Sequence, residues 1–257
     1  MKKENLNKLI VFILAAGRGT RMNSSLPKVL HLLKEKPLLE HVLLACNGLS
    51  PESIHVVISD NHKIKNFLHE LDYKNLSQVI QTKALGTGHA VKVALESFGK
   101  TPLKAKDPNT HVLITYGDVP CIQKKTLKNF YNSHLTSHSD ISLLAFKTDN
   151  PYGYGRLLLD NSNKVKAIRE ESDCTLEEKK IKLCNSGIYL VRLNSLIKHI
   201  SNIDINPLKK EYYLTDLIKL FYNNELTTNY SIIENPLELS GVNTQEQLKG
   251  LNESLDF

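Results

Sequence analysis

Residues 9–22 read LIVFILAAGRGTRM. The first seven are apolar without alternation, which predicts a β-strand covered on both faces. The chain then leaves through Ala16, Gly17, Arg18, Gly19, Thr20 and Arg21. A dinucleotide fingerprint GxGxxG would need glycine where Met22 stands, and a GxxxxGK[ST] loop is missing. A phosphate loop of another design is left. Its glycines let backbone N–H groups approach oxygens, and its arginines supply forked donors. From this fragment alone, an ordinary strand exit with surface arginines fits equally well.

Strand-like and helix-like runs alternate beyond it. KPLLEHVLLACNGL (36–49), NHKIKNFLHEL (61–71) and TGHAVKVALESF (87–98) carry helical spacing. SIHVVIS (53–59), SQVIQ (77–81) and THVLITY (110–116) read as strands. This order predicts a Rossmann-like α/β fold, a mainly parallel mixed sheet with helices on both faces. DISLLAFKT, YGRLLLD, KVKAIREE and CNSGIYLVR then follow as strands on short turns, before a helix, LTDLIKLFYN, and a last strand, NYSIIE. The expected organisation is one domain over 1–243, with a first lobe at about 1–120 and a strand-rich second lobe at about 121–243, followed by a helical tail at 244–257.

The 257 residues are 41% hydrophobic and 23% charged, ordinary globular usage. No apolar run approaches the roughly 20 residues of a membrane helix. No secretory signal is apparent, so a cytoplasmic protein without a membrane partner is expected. Cys46, Cys121, Cys174 and Cys184 form no CxxC pair, which argues against a disulfide framework or a structural zinc. The net charge is +6. Its lysines are scattered, without one dense run or interleaved aromatics, which argues against a nucleic-acid partner. His134 and His138 are four apart, but their polar surroundings, SHLTSH, argue against a metal pair. The KKIK at 179–182 reads as a solvated turn.

Seven stretches occur in a telling order. They are LAAGRGTRMNSSLPKVLH (14–31), LGTGHAV (85–91), YGDVP (116–120), GYGR (153–156), NSGIY (185–189), EYYLTD (211–216) and GVN (241–243). The pattern resembles the sugar-1-phosphate nucleotidyltransferases. More narrowly, it resembles the uridyltransferase domain of the bifunctional bacterial enzymes that make UDP-N-acetylglucosamine. The resemblance covers about residues 9–248. It implies the reaction of UTP with N-acetylglucosamine 1-phosphate, giving UDP-N-acetylglucosamine and pyrophosphate. A phosphate monoester is already largely anionic near neutrality, with a second pKa of about 6, so no general base is required. The difficulty is to bring two anions together. That calls for positioning, cations and Mg²⁺.

By this resemblance Arg21 and Lys28 are the catalytic cations. Ala16, Gly17 and Arg18 contact the nucleotide, and Gln81, Gly86 and Thr87 read the uracil side. Asp118 and Asn243 hold Mg²⁺, as hard oxygen ligands. Gly155, Glu170 and Asn185 contact the sugar. His89 belongs to the motif but reads as a packing or helix-start residue. The chain departs from the family's usual pattern at Ala84, where a second glutamine is common, and at Ser172, where a lysine is common. The bifunctional relatives add a hexapeptide-repeat β-helix that trimerises them. Its repeats are not in this sequence, so no obligate trimer is expected. Two alternatives stand beside the main reading. One is an enzyme for another sugar 1-phosphate, such as glucose 1-phosphate. The other is a non-catalytic protein that binds sugar nucleotides or nucleic acid.

Overall fold

The computed structural model describes residues 7–99 and 107–254. The basic residues 1–6 and the last three residues of the 244–257 tail lie outside these limits. Strand β1 (Lys8–Ala15) is followed by a two-residue hairpin, β2 (Leu32–Leu33) and β3 (Lys36–Pro37). Next come α1 (Leu38–Asn47), β4 (Ser53–Ile58), α2 (His62–Glu70), β5 (Leu76–Ile80), α3 (Thr87–Gly99) and β6 (Thr110–Tyr116). The boundaries have local causes. Pro37 sits at the N-cap of α1, where a missing N–H costs nothing. The Asn61 side chain caps α2 by accepting from the N–H of Lys63 and of Ile64.

The second half holds α4 (Lys124–Thr136), β7 (Ile141–Lys147), β8 (Arg156–Leu159), β9 (Val165–Arg169), β10 (Leu183–Arg192) and α5 (Leu193–His199). It ends with α6 (Asp216–Asn223), β11 (Thr228–Ile232) and α7 (Gln245–Ser254). The strands predicted there are present, but two helices add to the prediction: α4 precedes β7, and α5 follows β10.

The main sheet runs β11-β7-β10-β6-β1-β4-β5, with β8 paired to β10 and β9 to β8. Strands β6, β1, β4 and β5 are parallel, while β10 is antiparallel to β6 and β7. From β1 the chain builds outward through β4 and β5, then returns to β6 on the other side. That reversal opens a crevice at the carboxyl ends of β1 and β6. Alternate residues of β1 enter two cores. Ile10, Phe12 and Leu14 pack with α3 and α6 residues such as Val91 and Phe221. Val11 and Ile13 pack with α1 and α4 residues such as Val42 and Phe130. This two-sided burial is why the opening strand is apolar throughout. A small third cluster of Leu33, Leu38, Val242 and Leu251 pins α7 and the segment before it to the β2–β3 hairpin and the start of α1.

Candidate active site

The crevice is a cleft of about 630 Å³. It is lined by Ala16, Gly17, Arg18, Arg21, Lys28, Gln81, Gly86, Thr87, Asp118 and Asn243, so ten of the residues singled out in the sequence meet in one place. The loop after β1 turns through Gly19 at φ 61° into a single 3-10 turn, Thr20–Met22. A Cβ on Gly19 would lie 2.6 Å from the Lys28 Cβ, so the glycine lets the loop close on that lysine. Around Gly17 there is open space on the side a Cβ would take, which leaves its backbone accessible to a ligand.

Four polar side chains from distant parts of the chain converge at one end. The Lys28 ammonium donates to Asp118 Oδ2, and to Asn243 Oδ1 at 3.2 Å. Arg21 Nη2 donates to the same amide oxygen at 2.9 Å. Asn243 is brought there by backbone pairing, since Val242 N–H donates to the Asp118 carbonyl at 2.8 Å. Two hard oxygens, one carboxylate and one amide, therefore face a single cation position. That donor set fits a divalent ion of the Mg²⁺ type, which keeps several waters and takes other ligands from phosphates. Among the described residues no group of three or more His, Cys, Asp and Glu side chains forms an all-protein metal cage. His134 and His138 are not a metal pair. His134 is buried in the last turn of α4 against His111 and Ser142, and His138 lies beyond the helix with positive φ.

The opposite wall is a backbone clasp. Gly88 N–H donates to the Tyr212 carbonyl and Tyr212 N–H to the Leu85 carbonyl, both at 2.8 Å. Leu214 N–H donates to Thr87 Oγ1 at 3.0 Å. Gly86 sits at φ 94°, and a Cβ there would lie 2.7 Å from the Tyr212 carbonyl oxygen. LGTG and EYYLTD, read as separate motifs, are thus the two halves of one structure. Gln81 is buried behind it, with its Nε2 bonded to the Gly86 carbonyl oxygen at 3.1 Å and to His89 Nδ1 at 2.9 Å. Ala84, one of the two departures, lines the cleft and is exposed.

Gly155, Glu170 and Asn185 lie apart from that lining, beyond Tyr116. Tyr116 borders the cleft at the end of β6 and was not singled out in the sequence. Its ring fills the space a side chain at residue 187 would need. A Cβ on Gly187, at φ 80°, would stand 2.0 Å from the ring. Burial, with the nearby Glu170 and Asp118 carboxylates, holds the Tyr116 phenol well above its ordinary pKa and therefore neutral. Glu170 accepts from Thr215 Oγ1 at 2.9 Å, and its other oxygen would be 3.6 Å from a Cβ on Gly155. Burial raises the Glu170 pKa, the Thr215 hydrogen bond opposes this, and Asp173 and Asp216 add to the rise. Asn185 is used internally. Its Nδ2 donates to the Tyr189 hydroxyl at 2.7 Å and its Oδ1 accepts from Gly187 N–H at 3.1 Å, inside a register shift of β10. NSGIY is therefore a bulge-building stretch. Buried Arg156 ties this region together, donating to the Tyr154 carbonyl and to Glu171 Oε2. Ser172, the second departure, is exposed and donates to Asp173. Residues 179–182 are a surface turn whose Lys180 and Lys182 pair with Glu177 and Asp149. All four cysteines are free.

Comparison with known proteins gives a consistent set of similarities. A family profile described as "MobA-like NTP transferase domain" matches residues 11–178. A protein of Acanthamoeba polyphaga mimivirus, named "Probable UDP-N-acetylglucosamine pyrophosphorylase", is 38% identical, with 97% of both chains covered. "Bifunctional protein GlmU" of Thermosipho melanesiensis is 38% identical over 95% of this chain and 50% of its own length. Its counterpart in Francisella tularensis subsp. holarctica is 40% identical with the same coverage. The chain thus spans about half the length of the bifunctional relatives. A Bacillus anthracis structure assigned as a glucose-1-phosphate thymidylyltransferase superposes with a TM-score of 0.69 at 19% identity, 97% of each chain being covered. It supports the fold.

Proposed function

The chain belongs to the MobA-like NTP transferase family, and from that membership we propose that it joins UTP to N-acetylglucosamine 1-phosphate, releasing pyrophosphate. The mimivirus relative, matched from end to end, bears the name of that activity. The observation that carries the reading is the convergence of Arg21, Lys28, Asp118 and Asn243 at one end of a cleft sized for a nucleotide.

A phosphate oxygen of the sugar phosphate attacks the α-phosphorus of UTP in line. The bond from that phosphorus to the bridging oxygen breaks, and pyrophosphate leaves with the electron pair. No proton needs to be removed from the attacking dianion. Lys28 and Arg21 neutralise the triphosphate and the incoming phosphate. Ala16 and Gly17 offer backbone contacts, and Arg18 is a further cation at the cleft rim. Gln81, Gly86 and Thr87 hold the base. Asp118 and Asn243 are the residues to hold Mg²⁺, which when bound offsets charge on the phosphates. Lys28 must then leave these two oxygens for the phosphates. We place the sugar beyond Tyr116, toward Gly155 and Glu170, with Asn185 shaping the bulge beneath it. The nucleotide lobe is then about 1–120 and the sugar lobe about 121–243. No helix among the described residues is long and apolar enough to cross a membrane. With soluble substrates, we place the reaction in the cytoplasm.

The test is pyrophosphate release across nucleotide and sugar-phosphate pairs, with Mg²⁺ present. UTP with N-acetylglucosamine 1-phosphate should be the best pair. Equal turnover of glucose 1-phosphate overturns the sugar assignment, and no turnover with any pair overturns the activity.

A further inference from the structure

His89 was read from the sequence as a packing residue, yet its ring faces the functional amide of the cleft. The chemistry of three neighbours fixes the hydrogens there. The Gly86 carbonyl oxygen has no proton to give, so the Gln81 group 3.1 Å from it is the amide NH₂. The same nitrogen is 2.9 Å from His89 Nδ1. That ring atom must accept, so His89 is the neutral tautomer with its proton on Nε2. Burial, the largest influence on His89, lowers its pKa and favours this neutral ring; Glu96 opposes the shift, and Lys92 and Lys83 assist it. Both amide protons of Gln81 are thereby engaged. Among the described residues Gln81 Oε1 has no hydrogen-bond partner and is not an enclosed atom. Gln81 lines the cleft, and this oxygen is what it can offer a ligand.

We infer that His89 is a positioning residue that locks the Gln81 amide with its oxygen toward the ligand, making the base site an acceptor that selects imide N–H donors. Uracil carries such an N–H at N3. Cytosine has a lone pair at N3, which would face the Gln81 oxygen. A flipped Gln81 could bind cytosine only by turning its oxygen onto the Gly86 carbonyl, which can only accept, and by forcing His89 to move its proton from Nε2 to Nδ1. This inference rests on the uridylyl-transfer reading and adds to it how the base is chosen.

The experiment compares wild type, His89→Leu and His89→Asn, using UTP and CTP as the probes. Steady-state kinetics are run with N-acetylglucosamine 1-phosphate, and each variant's fold is checked by circular dichroism. Leucine removes the acceptor, whereas the Asn oxygen can take the place of Nδ1. The lock predicts that His89→Leu raises the KM for UTP about fivefold, the size of one neutral hydrogen bond. It also predicts a UTP-over-CTP preference reduced to a similar extent, with the KM for the sugar phosphate and kcat within twofold of wild type. His89→Asn should recover most of both losses. The inference is overturned if His89→Leu keeps the wild-type KM and preference. It is equally overturned if both variants lose activity alike with no change in preference, the result of a packing role. A wild-type chain that does not turn over UTP instead removes the underlying activity, a result read before any variant is made.

Discussion

Lys28 holds two partners, Asp118 and Asn243, that lie 90 and 215 residues further along the chain. Both offer oxygen, and the ammonium occupies the position we propose for a divalent ion. Replacing it leaves the Asp118 carboxylate without its cation and removes a donor proposed for the phosphates. Lys28→Met should lower kcat/KM by about 10²–10³, as loss of one preorganised charged donor does. Far-UV circular dichroism should be unchanged, because the pair lies at the cleft wall and outside the main cores. Pyrophosphate-release kinetics check this. Charged and glycine residues of this kind were legible in the sequence because loop chemistry has few other uses for them at such spacing. Tyr116 was not, since an aromatic at the end of an apolar run looks like one more core residue. Its place at the cleft depends on Gly187, 71 positions later in the numbering.

At the scale of the elements, the joint between β6, α4 and β7 is made by histidine. His111 Nδ1 is 2.9 Å from His134 Nε2, and His134 Nδ1 is 2.8 Å from Ser142 Oγ. Burial lowers the pKa of His111 to about 4, helped by Arg192. Burial also lowers that of His134 to about 3, helped by His111 and Arg192. An unfolded histidine titrates near pH 6.5. Below that value the unfolded chain takes up protons that the native pair refuses, so stability falls with pH. It is complete above about 6.5 and is lost progressively, by about 1.4 kcal/mol per pH unit for each ring, down to about 4 for His111 and about 3 for His134. Urea unfolding at pH 7, 6 and 5 should show this slope, and His111→Gln should flatten it. The same joint explains why α4 escaped the sequence reading. Its buried positions are Leu127, Phe130 and His134. The spacing is helical, but the third position is a polar residue whose burial is made possible by partners on other strands. By contrast β1 and α3 were legible because their buried residues are apolar in an unbroken or periodic run, and β4 and β6 because each keeps an apolar run of three, residues 56–58 and 112–114, beside its buried His55 or His111.

For the molecule as a whole, the cleft joins the ends of the sequence. Arg21 meets Asn243 across 222 residues, and the clasp between 85–88 and 211–214 closes the other wall. A ligand filling this cleft holds several elements together and should stabilise the entire fold. UTP with Mg²⁺ at about 100 times its Kd should add about 2.7 kcal/mol, which for a chain of this size raises Tm by about 5–10 °C. Differential scanning fluorimetry measures it, and ATP at the same concentration should give a smaller shift. The mainly parallel sheet with helices on both faces was legible because a parallel core writes itself as alternating apolar and periodic runs; the order of its strands, with antiparallel β10 set between β6 and β7, was not. The placing of Gly155, Glu170 and Asn185, which we propose for the sugar, apart from the cleft lining was not legible, since it comes from a bulge in β10 and a buried arginine.

Because Asn243 is carried to Asp118 by the bond from Val242 N–H to the Asp118 carbonyl, a chain that stops short of it lacks one oxygen of the proposed cation position. A ribosome could release the first 120 residues into solution, folded or not, without freeing an enzyme that consumes nucleotide. Competence waits for residue 243, and a nick that frees α7 should abolish pyrophosphate release while leaving the far-UV circular dichroism of the sheet unchanged.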